Sequence, residues 1–102
     1  MVKLTVMYPQ QNGKNFNLDY YLKDHFALVQ KAWGGLMKGA EVVRGVAGGA
    51  PGESPTYHIM ALINFESMDD FNQALAKGGP LFADIPNFTD IEPVVQVSEV
   101  LG

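Results

Sequence analysis

The sequence holds two histidines, His25 and His58, and the neighbours of the first make it the stronger candidate for chemistry. His25 lies in NLDYYLKDHF, residues 17–26, which reads as the start of an amphipathic helix. On a wheel of about 100° per residue, Leu18, Leu22, His25, Val29 and Leu36 fall within roughly 60° of one another. Tyr21, four residues before His25, and Ala32 flank that stripe, whereas Tyr20 and Asp24 point elsewhere. An imidazole with an ordinary pKa near 6.5 has two readings there. It is either a buried structural group, neutral and hydrogen-bonded, or a general acid or base lining a pocket between helix and sheet, with burial lowering its pKa.

Few other side chains compete. Tyr8 ends an apolar strand face, and its phenol would reach His25 if that face meets the helix; otherwise it is a rim or core tyrosine. Asp84 and Asp90 bracket DIPNFTD, where a carboxylate orients a histidine or caps a turn, and capping is the expected role. His58 shares a strand side with Met60 and Leu62. Two histidines far apart, without a carboxylate at ligand spacing, make no metal motif. No GxGxxG follows a strand, no GxxxxGK[ST] occurs, and Ser54, Ser67 and Ser98 lack a nucleophile-elbow context. Trp33 and the five methionines read as core filler or pocket lining.

The elements that must hold these groups follow from periodicity. VKLTVMY, residues 2–8, alternates as a strand stopped by Pro9. Asn15 or Asn17 caps a helix running to about Trp33, which Gly34 and Gly35 end. Residues 40–47 and 57–65 form two strands of a hairpin around a Gly- and Pro-rich loop. Ser67 and Asp70 resemble a capping box opening a helix to about Lys77, which Gly78-Gly79-Pro80 stops. One helical turn before Pro86 and a last strand over residues 92–101 complete the order strand-helix-strand, strand-helix-strand. That order is ferredoxin-like: α+β, with both helices on one face of a four-stranded antiparallel sheet.

The other face should then be polar in a monomer, yet Met60 and Leu62 oppose Ile59, Ala61 and Ile63, and Val94 and Val100 oppose Val95, Val97 and Leu101. Apolar residues on both faces predict a homodimer with the two sheets packed as a barrel.

Composition sets the outer limits. At 102 residues the chain is one domain, and with 47% hydrophobic and 18% charged residues it has enough apolar surface to fold. A net charge of −4 with seven scattered Lys and Arg argues against nucleic acid. The absence of cysteine excludes disulfides and thiol chemistry and fits a cytoplasmic protein. MVKLTVMYPQ carries neither a signal-peptide core nor a membrane span, so no membrane association is expected.

Tyr8-Pro9 after strand one, FNLDYYLKDHF from Phe16 to Phe26, and DIPNFTDIEPVVQVSEV together resemble the ethyl tert-butyl ether degradation (EthD) family over nearly the whole chain. Phe26-Ala27 stands where a Met-Pro or similar pair often follows the histidine. The resemblance implies a single dimeric α+β barrel domain over residues 1–102 and a role in small-molecule catabolism beside oxidation systems. On this reading the protein is an enzyme or accessory protein with a hydrophobic substrate between helix one and the sheet. His25 would transfer the proton, Tyr8 or Tyr21 would orient a carbonyl or phenol, and Leu22, Val29, Trp33 and Phe88 would line the pocket. No cofactor is required for proton transfer beside a carbonyl. A non-catalytic carrier delivering a hydrophobic intermediate to a partner oxygenase is the alternative, and haem binding through His25 is a third.

Overall fold

A computed structural model describes residues 1–102. Alternation of apolar and polar residues produces four strands: β1 (Val2–Pro9), β2 (Met37–Arg44), β3 (Tyr57–Phe65) and β4 (Val94–Glu99). They form one antiparallel sheet in the order β2-β3-β1-β4. The central strand β1 sets Leu4 opposite both Ile63 and Val97, so the inward residues of three strands meet on one face. This is the ferredoxin-like α+β fold, with the helices gathered on that face.

The first helix, α1, has three parts. Leu18–Tyr20 is α-helical, Tyr21–His25 is π-helical, and Phe26–Trp33 is α-helical again. Asn17 caps it, accepting the Tyr20 N–H on its side chain at 3.1 Å. Helix α2 (Met68–Ala76) is capped by Ser67, whose hydroxyl accepts the Asp70 N–H at 3.2 Å. Gly78-Gly79-Pro80 ends that helix and also starts another. Proline in the first turn suits a helix start, and α3 (Gly79–Asp84) follows, with a 3₁₀ turn over Ile85–Asn87.

Two strands differ from the expected bounds. β2 begins and ends three residues earlier than residues 40–47, because its ladder runs only along β3, from Met37 opposite Phe65 to Arg44 opposite Ile59. Val46 lies beyond the ladder and is 90% exposed. β4 is shorter than residues 92–101, and Pro93 just before it has no N–H to pair. Register also corrects the reading of the uncovered face. Met7, Val43, Met60, Leu62 and Val94 lie there, but among Lys3, Thr5, Glu41, Asn64, Gln96 and Ser98, so it is mixed rather than apolar throughout. Leu101 lies outside the sheet and is exposed.

The covered face holds two packed groups. One joins Val2, Leu4, Val29, Trp33, Ile63, Phe65, Phe71, Ala74 and Leu81. The other joins Tyr8, Tyr21, Ile59, Phe88 and Ile91.

Candidate functional site

Helix α1 places His25 by means of its wide turn. The Phe26 N–H reaches the Tyr21 carbonyl five residues back, the bond that defines a π turn. In an α-helix four residues overshoot one turn by about 40°, and the wider turn removes that overshoot. Tyr21 and His25 therefore stand in line, their rings 5.5 Å apart and within 11° of parallel. Tyr21, His25, Val29 and Trp33 are all buried, each four residues from the next.

The same geometry turns Leu22 outward. Leu22 is 48% exposed and stands outside the cavity that His25 lines, which corrects its place on the apolar stripe. A wheel drawn at constant pitch mispositions the residues within a π turn.

His25 is 7% exposed, and its Nδ1 lies 2.9 Å from Asp84 Oδ2. Asp84 closes α3, so the contact ties the end of that helix to the middle of α1. The other carboxylate oxygen, Oδ1, accepts the Tyr20 hydroxyl at 2.7 Å and the Asn87 amide at 2.9 Å. Asp84 is thus the orienting partner of His25 rather than a turn cap, and Tyr20, placed by the wheel away from the site, supports it from behind. Burial alone would raise the Asp84 carboxyl, but hydrogen bonds from Asn87, His25 and Tyr20 outweigh it and hold the pKa below the usual carboxylate value. The Tyr20 phenol shifts upward because its ionisation would give up the hydrogen bond it donates to Asp84. With Asp84 ionised, Nδ1 carries the proton in the hydrogen bond, and the neutral ring keeps its lone pair on Nε2. Nε2 makes no hydrogen bond within the chain.

His25 lines a cavity of about 30 Å³ between α1, α3 and the sheet, the one non-hydrophobic residue among twelve. Tyr8 and Tyr21 line it too, as do Val29 and Trp33. Neither the Tyr8 nor the Tyr21 hydroxyl bonds within the chain, and burial raises both pKa values far above neutrality. Both phenols are therefore proton donors and not bases. Phe88 does not line the cavity. Its ring packs on His25 from the other side at 4.7 Å and also touches Tyr8 and Tyr21. Asp90 does not approach His25; it accepts the Asn15 N–H at 2.7 Å and helps fasten the chain before α1. The Asn17 N–H to Phe88 carbonyl bond and the Thr89 hydroxyl to Asn15 carbonyl bond complete that seam.

The structure resembles solved proteins over its full length. An EthD-like protein from Ralstonia eutropha JMP134 is 35% identical, covering 99% of this chain and 92% of that one, with a TM-score of 0.90. The chain belongs to the EthD family. An ethyl tert-butyl ether degradation (EthD) family protein from Bacillus halodurans C-125 is 21% identical over 99% of both chains, with a TM-score of 0.76. A protein of Arabidopsis thaliana shares the fold at 15% identity, a TM-score of 0.72, and coverage of 100% of this chain and 97% of that one. No family model and no curated protein matches. In this EthD protein the two stretches that carry the resemblance form one object: Tyr20, Tyr21 and His25 come from FNLDYYLKDHF, and Asp84, Asn87 and Phe88 from DIPNFTD. The chain has no helix long and apolar enough to cross a membrane.

Proposed function

We propose that this EthD protein is a cytoplasmic small-molecule enzyme of catabolic metabolism in which His25 Nε2 moves a proton on a hydrophobic carbonyl compound or phenol. The observation that carries this reading is the pair His25–Asp84. A buried carboxylate fixes Nδ1, leaving Nε2 without an intrachain partner at the edge of an apolar cavity. Tyr8 and Tyr21 supply neutral hydroxyls to a substrate oxygen, on which negative charge develops when a neighbouring C–H is deprotonated. No Lys, Arg, Asp or Glu lines the cavity, which favours an uncharged substrate.

A cavity of about 30 Å³ holds about one water, so the substrate enters as a wall parts. The six-residue helix α3 supplies Leu81 and Phe82 to that wall, and Phe82 is already 39% exposed. A porphyrin would require far wider separation, which argues against haem at His25. The uncovered sheet face, where Met7, Met60, Leu62, Val43 and Val94 cluster, supports pairing of two copies through that face. Sedimentation at micromolar concentration should give twice the chain mass, and a monomer would remove the dimer from the proposal.

The catalytic assignment is tested with 2-tetralone, a hydrophobic ketone with exchangeable α-hydrogens. In deuterated buffer the protein should accelerate their exchange, and His25→Gln should lower the rate by about 10²- to 10⁴-fold while the fold persists by circular dichroism. Binding of the ketone without exchange would sink the catalytic reading and leave the carrier for a partner oxygenase. Neither binding nor exchange would remove carbonyl chemistry from this cavity.

A further inference from the structure

A cleft of about 630 Å³ opens where β1 ends and β3 begins, and it shares no lining residue with the cavity at His25. Six polar side chains wall it: Gln10 and Asn12 after β1, Arg44 at the end of β2, Ser54 and Thr56 before β3, and His58. None of its lining residues is hydrophobic or acidic. None of these six side chains makes a hydrogen bond within the chain. No Lys or Arg of the protein lies within salt-bridge distance of a carboxylate, so the Arg44 guanidinium has no carboxylate partner. Glu53, next in sequence to Ser54, is tied to the Gly49 N–H at 3.1 Å.

The backbone shapes this cleft. The β1–β3 register slips between Tyr8 and Pro9, so Tyr8 pairs with Ile59, Pro9 with Tyr57, and His58 is left out of the β1 ladder. The Gln10 N–H to Thr56 carbonyl bond at 3.0 Å and the Gly45 N–H to His58 carbonyl bond at 2.8 Å clamp it on both sides. A Cβ at position 45 would fall 2.2 Å from the Tyr57 carbonyl oxygen, so the second clamp needs glycine. Phe16 meets the His58 ring edge-on at 5.5 Å and 79°, bracing the imidazole. On the far side of His58 a second cleft of about 130 Å³ carries Lys14.

A chain of net charge −4 repels anions in general, and a cleft that gathers an unpaired guanidinium and an imidazole with no acid among its walls reverses that locally. We infer that this cleft binds a small organic anion, its carboxylate or phosphate held by Arg44 and His58 and by the hydroxyls of Ser54 and Thr56. Arginine presents a planar fork that matches either group with two parallel hydrogen bonds. A volume of about 630 Å³ leaves room for a body beyond the charged group.

Amide NMR titrations with inorganic phosphate and, separately, benzoate, each against chloride at matched ionic strength, test this directly. Saturable shifts at Gly45, Thr56 and His58 are expected with at least one probe; the probe that saturates says whether the site takes phosphate, carboxylate or both. Arg44→Gln should weaken that binding by about tenfold or more, and Arg44→Lys, which keeps the charge but loses the fork, should fall between. Lys31→Gln, on α1, should leave it unchanged. Shifts that never saturate, that chloride reproduces, or that Arg44→Gln leaves intact would overturn the site. The proposal uses no residue of the His25 cavity, so its failure and that of the proton-transfer reading are separate events.

Discussion

The two packed groups under the sheet are built to different rules. Around Phe65 and Trp33 the one polar side-chain atom is spoken for, since the Trp33 indole N–H donates to the Ala74 carbonyl at 2.7 Å. Around Tyr8 and Tyr21 two phenols and the imidazole Nε2 are buried or nearly so, yet bond to nothing in the chain. The first arrangement minimises free energy of folding. The second leaves polar capacity open beside an apolar cavity, where a ligand or the single water the cavity admits can meet it.

The contrast breaks most visibly under a large truncation. Phe65, fully buried between Trp33 and Phe71, should cost about 3–5 kcal/mol when changed to alanine. Urea denaturation measures it, and a loss below about 1 kcal/mol would mean that this end is not the main source of stability.

Asp84 carries the middle-sized effect. Phe65→Ala acts alike at all pH values, whereas Asp84→Asn removes a carboxylate that accepts from His25, Tyr20 and Asn87 and should cost about 1.5–3 kcal/mol near neutrality. The sign of the pH dependence follows from its lowered pKa, because the folded state binds the proton more weakly than the unfolded chain. The contribution is full above the ordinary value of 3.8 and is lost as pH falls through the lowered folded value. The gap between wild type and Asp84→Asn should therefore narrow in acid. A gap that stays constant would show that the carboxylate does not carry the effect.

The same two regions differ in how far the sequence revealed them. Strands β1 and β3 were legible because each buries alternate residues, such as Ile59, Ala61 and Ile63. The start of α1 was legible because Asn17 sits where a cap must. Of the helical stripe Leu18, Leu22, His25, Val29 and Leu36, His25 and Val29 line the cavity, together with Tyr8, Tyr21 and Trp33, while Leu18, Leu22 and Leu36 do not. What periodicity cannot show is a change of pitch inside a helix, and the π turn moved Leu22 out of the group. Nor can it find a partner 59 residues away. Asp84 meets His25 only because α3 follows α2 after Gly78-Gly79 and stops at the 3₁₀ turn, and no local signal in DIPN encodes that meeting.

The finest test compares two polar atoms on one helix. Trp33→Phe removes the indole N–H and one of the two hydrogen bonds on the Ala74 carbonyl, which keeps the Lys77 N–H at 2.9 Å, so it should destabilise by about 0.5–1.5 kcal/mol. Tyr21→Phe removes a hydroxyl that bonds nothing in the chain, and its ring contacts with Tyr8, Phe16 and Phe88 survive. Its folding stability should change by less than about 0.5 kcal/mol, because the hydroxyl that is lost faces the cavity and holds no other part of the chain. If that hydroxyl serves a ligand, the same substitution should slow ketone exchange at unchanged stability. Equal losses of stability from Trp33→Phe and Tyr21→Phe would mean that the Tyr21 hydroxyl is bound in solution after all, and the division between the two regions would fail at its most specific point.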